Sequence, residues 1–139
     1  MISLSRKEKA LLKSLAQKYS LELLLLFGSQ TKDKKYLHFE SDFDFAYLSK
    51  KELNLKDESK LIYDLSLIFK TEKIELVNLK KAGPLLLREI FASSQILFCQ
   101  DIKKYLGYKI YSFKKYIEAK PLFELLEKSI KEFLETHGK

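Results

Sequence analysis

Residues Leu21 to Leu48 read LELLLLFGSQTKDKKYLHFESDFDFAYL, and this stretch decides the fold. Leu21 to Phe27 is nearly all apolar, as expected of a central strand buried on both faces. Gly28 ends it, and a polar, lysine-rich segment from Gln30 to Glu40 follows as a short helix and loop. Phe43 to Leu48 then alternates, with Phe43, Phe45 and Tyr47 on one face and Asp42, Asp44, Ala46 and Leu48 on the other. Two carboxylates at i and i+2 of a strand stand on one side and repel, which folding does not require. A divalent cation turns that repulsion into binding, because Mg²⁺ takes hard carboxylate oxygens and shares nucleotide phosphates as further ligands. Gly28-Ser29 lies where the strand gives way to the next segment, a place that offers backbone N–H groups to a phosphate.

Working outward, Ser5 and Glu8 form a capping-box pattern ahead of Leu11, Leu12, Leu15 and Tyr19, which predicts a helix over about Arg6–Lys18. Asp57 reads as the cap of a second helix reaching Phe69, with Leu61, Ile62, Leu65, Ile68 and Phe69 as its stripe. Lys73–Leu79 (KIELVNL) reads as a third strand that sets Glu75 beside Val77 and Leu79. Gly83-Pro84 opens another helix, with proline at a tolerated first-turn position. Gln95–Cys99 reads as a short edge strand. Asp101 caps a final helical region that Pro121 is expected to kink or divide.

Composition narrows the classes. With 139 residues, 46% hydrophobic and 32% charged, the chain is expected to be one globular domain, its core at about 5–100 and its C-terminal helices at about 101–136. The net charge of +7 is spread evenly, 13 basic against 10 acidic residues up to Lys70 and 13 against 9 beyond, so no basic tail stands out. A single cysteine, Cys99, excludes an intramolecular disulfide. No apolar run approaches bilayer length, and Met1–Ala10 lacks a signal-peptide pattern, so a cytoplasmic protein without membrane partners is expected. His38 and His137 lack partners at metal-ligand spacing. Lys32, Lys34 and Lys35 read as a solvated loop near enough to the phosphate seat for contact with a triphosphate to stay open, and Arg88 reads as a helix-surface charge.

The strongest constellation is Gly28-Ser29, then twelve residues, then Asp42-Phe43-Asp44, with Glu75 on a later strand. Two-metal phosphoryl and nucleotidyl transfer needs carboxylates that hold ions about 3.5–4 Å apart. Asp42 and Asp44 suit the bridging pair, and Glu75 suits a third ligand at the ion that activates the attacking hydroxyl. FGSQTK…ESDFDFAYL resembles the GS-x(about ten)-D-x-D motif of the DNA polymerase beta nucleotidyltransferase superfamily. More closely, the order helix, GS, SDxD, IELVNL, PLLLREI and QILF resembles the minimal nucleotidyltransferases, the small MntA-type antitoxins encoded beside HEPN toxins; the likeness covers about residues 5–126.

That resemblance implies an α/β (α+β) nucleotidyltransferase fold: a small mixed sheet of three or four strands with packed helices and a helical C-terminal region. It implies two Mg²⁺ ions, ATP as substrate, and transfer of AMP to a tyrosine of a HEPN ribonuclease, which is thereby silenced. Residue by residue, Gly28 and Ser29 match the nucleotide-binding pair, Asp42 and Asp44 the catalytic metal-binding pair, and Glu75 the third carboxylate. The chain departs from the pattern in its twelve-residue spacer, in Lys32 where arginine is common, and in Glu75 where aspartate is usual. Two rivals remain open: an antitoxin acting by occlusion alone, and a transferase acting on a small molecule. Direct nucleic-acid binding has only the net charge behind it and is not expected.

Overall fold

A computed structural model describes residues 2–28 and 42–137. The elements run α1 (Arg6–Lys18), β1 (Leu21–Phe27), β2 (Phe43–Ser49), α2 (Leu55–Phe69), β3 (Ile74–Asn78), α3 (Pro84–Ala92), β4 (Ser94–Cys99) and α4 (Ile102–His137). Ser29 to Ser41, and with them the expected short helix and loop, Lys32, Lys34, Lys35 and His38, lie outside the described residues.

The four strands form one mixed sheet in the order β3-β2-β1-β4. β1 pairs antiparallel with both β2 and β4, whereas β2 and β3 run parallel. Every residue of β1 is buried, as its leucine run demands. Glu22 interrupts that run at 7% exposure, and its carboxylate pairs with Lys104 Nζ at 2.7 Å, which ties the start of α4 to the sheet. Leu21, Leu24 and Leu26 pack with Phe45 and Tyr47 beneath α1 and α2, while Leu23, Leu25 and Phe27 pack with Ala46 and Leu48 against α3. β4 is an edge strand, as its short run suggested.

Local chemistry sets the helix ends. Ser5 and Glu8 complete the capping box at α1. α2 starts earlier than expected: Asn54 is its cap and Asp57 is the reciprocal N3 partner, because a cap followed three residues on by a carboxylate satisfies two orphan N–H groups at once. Leu11 is 43% exposed, so it lies outside the stripe it was assigned to. Asp101 accepts the Lys103 N–H, as a cap should.

Pro121, expected to kink or divide the final helical region, does not divide it. α4 runs continuously through it for 36 residues. Pro121 removes the N–H that would reach the carbonyl four residues back, on Ile117, and Ile117 is 67% exposed, so water can serve that carbonyl. Among the described residues, no helix is long and apolar enough to cross a membrane.

Candidate active site

The site lies at the sheet end where β1 finishes and β2 and β3 begin. Phe27 is opposite Asp44, and Asp44 is opposite Glu75, so one row of the ladder carries both carboxylates next to the Gly28 corner. A backbone bond from the Phe43 N–H to the Lys73 carbonyl, 2.8 Å, locks the first rung of the parallel pair just ahead of that row.

Gly28 has φ +78°, the left-handed region that favours glycine. A Cβ built there would collide with the Asp44 carboxylate, lying 3.2 Å from its Cγ as well. Glycine is therefore required twice over, by the turn and by the side chain pressed against it. Ser29, expected to complete the phosphate seat, lies outside the described residues.

Asp44 is half-buried and Glu75 exposed. The Asp44 carboxyl is pushed up to about 6, first by burial, then by hydrogen bonding and charge from Glu75, then by Asp42 and Glu89. The fold thus crowds negative charge around one acid. Glu89, on α3, had no signal in sequence: it sits on the polar side of its helix like any solvated charge, and only the packing of α3 against the sheet brings it within electrostatic reach.

Asp42 precedes the first residue of β2 and is exposed, so strand alternation does not bind it to the Asp44 face. Asp42 and Glu75 both bear on Asp44 through their charge, although no set of three or more His, Cys, Asp or Glu among the described residues is arranged to hold a metal by itself. The donor set nevertheless fits Mg²⁺, which is held by one or two carboxylates plus substrate phosphates rather than by an all-protein cage. Asp44 and Glu75, adjacent in register and crowded, supply such a pair, and a cation between them would relieve the repulsion that raises Asp44.

The model of the polymerase beta nucleotidyltransferase family matches residues 9–103. The chain belongs to that family. Solved structures agree with the fold of this nucleotidyltransferase. A chain from a toxin–antitoxin complex with AMP-PNP superposes with TM-score 0.73 at 19% identity, covering 88% of this chain and 98% of that one. A chain from a complex of tri-AMPylated Shewanella oneidensis HEPN toxin with MNT antitoxin gives TM-score 0.72 at 16% identity, covering 92% and 99%. A chain from an MntA–HepT toxin–antitoxin complex gives 0.71 at 16%, covering 91% and 99%. No curated protein sequence matches the chain.

The remaining sequence-derived candidates are structural in this nucleotidyltransferase. Cys99 is half-buried on β4 and burial pushes its thiol up, which suits packing and not nucleophilic chemistry. Arg88 lies over the Tyr116 ring at 4.1 Å, joining α3 to α4. Tyr105 and Tyr108 of α4 are partly buried and pack on Phe91, with ring centroids 5.7 and 6.5 Å away, which seats the start of the helix against the core.

Proposed function

We infer that this chain is a Mg²⁺-dependent adenylyltransferase antitoxin that moves AMP from ATP to a tyrosine hydroxyl of a HEPN ribonuclease toxin. The observation that carries the reading is the row Gly28, Asp44, Glu75: a glycine corner able to approach phosphates, abutting two crowded carboxylates. The solved complexes of like fold, one with AMP-PNP and one with a tri-AMPylated HEPN toxin, support the same nucleotide and partner class.

In this reading Gly28 and Ser29 hold the triphosphate through backbone N–H groups. Asp44, with Asp42, faces the α-phosphate, and the exposed Glu75 faces the acceptor. The acceptor oxygen forms a bond to the α-phosphorus, the bond from that phosphorus to the bridging oxygen breaks, and pyrophosphate leaves. The hydroxyl proton passes to Glu75 or to solvent beside it. The chemistry Mg²⁺ supplies when bound is neutralisation of phosphate charge and a lowered pKa for the acceptor hydroxyl. Residues Asp42, Asp44 and Glu75 would hold it.

The test is incubation with α-labelled ATP, Mg²⁺ and the protein encoded by the neighbouring reading frame, expected to be of the HEPN class. Label should appear on a toxin tyrosine, and Asp44→Asn should lower the rate by roughly a hundredfold or more. An unlabelled toxin, or an Asp44→Asn variant as active as the parent, overturns the reading. The rival reading is neutralisation by occlusion, without transfer. An Asp42→Asn/Asp44→Asn variant that still protects cells from the toxin would establish it.

A further inference from the structure

α4 begins beside the sheet, where Lys104 meets Glu22, and by Tyr116 it lies under Arg88, the neighbour of the Glu89 that bears on Asp44. From there it leaves the body. Residues 118–137 continue for about 30 Å of helix, and every residue from 124 to 137 is exposed.

This overhang is not polar. Phe123, Leu126, Ile130 and Phe133 recur at intervals of three, four and three, which is the a/d spacing of a seam that packs against another helix. Leu122 and Leu134 widen it, and Leu122, Leu126, Ile130, Phe133 and Leu134 keep between 50% and 65% of their surface exposed. Isolated helices are not stabilised by showing water a continuous apolar stripe, and such a patch marks an interaction surface.

Charge and area choose the occupant. Residues 118–137 carry five glutamates against three lysines, although the chain as a whole is +7. A second copy laid along the same segment would set acid against acid. The seam also offers on the order of 500 Å² of apolar surface, below the roughly 800 Å² per partner of a standard stable complex. A partner whose hydroxyl must reach Asp44 contacts both the seam and the adjoining body, which adds the missing area.

We propose that the α4 overhang, residues 118–137, is the docking rail for the acceptor protein, taking an apolar helical face with basic flanks through Phe123, Leu126, Ile130 and Phe133. This rests on the transferase reading for the acceptor's identity and for the contact with the body that adds to the seam's area.

The experiment uses the full chain with Leu126→Glu/Ile130→Glu, both exposed positions, and the protein encoded by the neighbouring reading frame, expected to be of the HEPN class. Calorimetric titration should show the complex weakened at least about a hundredfold, with Mg²⁺-ATP binding and far-UV helicity unchanged. A dissociation constant within about threefold of the parent overturns the proposal and leaves the transferase reading standing. If the parent transfers no label yet forms a complex that the double variant loses, the docking surface stands and the transferase reading falls. A parent chain that sediments alone as a dimer, with the double variant a monomer, also overturns it, since the seam is then a self-interface. Should the double variant lose helicity, Phe133→Ser alone gives the same reading.

Discussion

Gly28 and Asp44 constrain each other. An alanine at Gly28 must adopt φ +78° and press its methyl into the carboxylate; the first costs about 1–2 kcal/mol in an L-residue, and the second displaces the acid proposed to meet the nucleotide. Gly28→Ala should therefore cut label transfer at least about tenfold while the far-UV spectrum holds, measured by initial rates at saturating ATP. Asp44 itself carries a pH signature. Its carboxyl sits near 6 in the fold against an ordinary 3.8, so ionising it opposes folding. That penalty is absent below about pH 3.8, grows as pH rises toward 6, and is complete above it. Asp44→Asn should accordingly stabilise the metal-free protein at pH 7–8, by about 1 kcal/mol once screening at this half-exposed group is allowed for, and have little effect near pH 4. Thermal melts across that range check the sign. Mg²⁺-ATP should raise the parent's midpoint and not the variant's.

At the scale of elements, α4 shows how solvent can override a local rule. A proline in a helix interior normally costs about 3 kcal/mol relative to alanine, yet the helix continues through Pro121 at a point where Ile117, whose carbonyl loses its partner, is 67% exposed. Pro121→Ala should recover up to ~3 kcal/mol of local helix stability. Hydrogen exchange of residues 117–125 should slow by roughly tenfold or more, with little change in β1. The ends of α1 and α2 follow sequence more closely. Ser5 with Glu8, and Asn54 with Asp57, each satisfy orphan N–H groups by neighbours three residues apart, so no tertiary contact is needed to place them. The expected cap at Asp57 was one member of the right pair given the wrong role.

The whole molecule hangs on β1, which lies between β2 and β4 and is buried on both faces. Leu24, fully buried, sits opposite both Tyr47 and Phe98. Leu24→Ala should cost about 2–5 kcal/mol, a fall in midpoint of roughly 10 °C for a chain of this size, read by thermal or urea denaturation. Much of this architecture was legible beforehand. An apolar run of seven, a glycine, and an alternating acidic strand are periodic, local signals, and burial on two faces leaves a leucine run few other places to go. The chemical types at the site were legible too, since Asp44 and Glu75 are residues that strand packing does not need and Gly28 marks a corner just after an apolar strand. What sequence could not supply was distance. Register alone sets Asp44 opposite Glu75, packing alone brings Glu89 to bear on Asp44, and the start of β2 at Phe43 alone frees Asp42 from the pleat. The length of α4 past the body was likewise decided by tertiary structure, because a helix's own periodicity says which face is apolar but not where its neighbours stop.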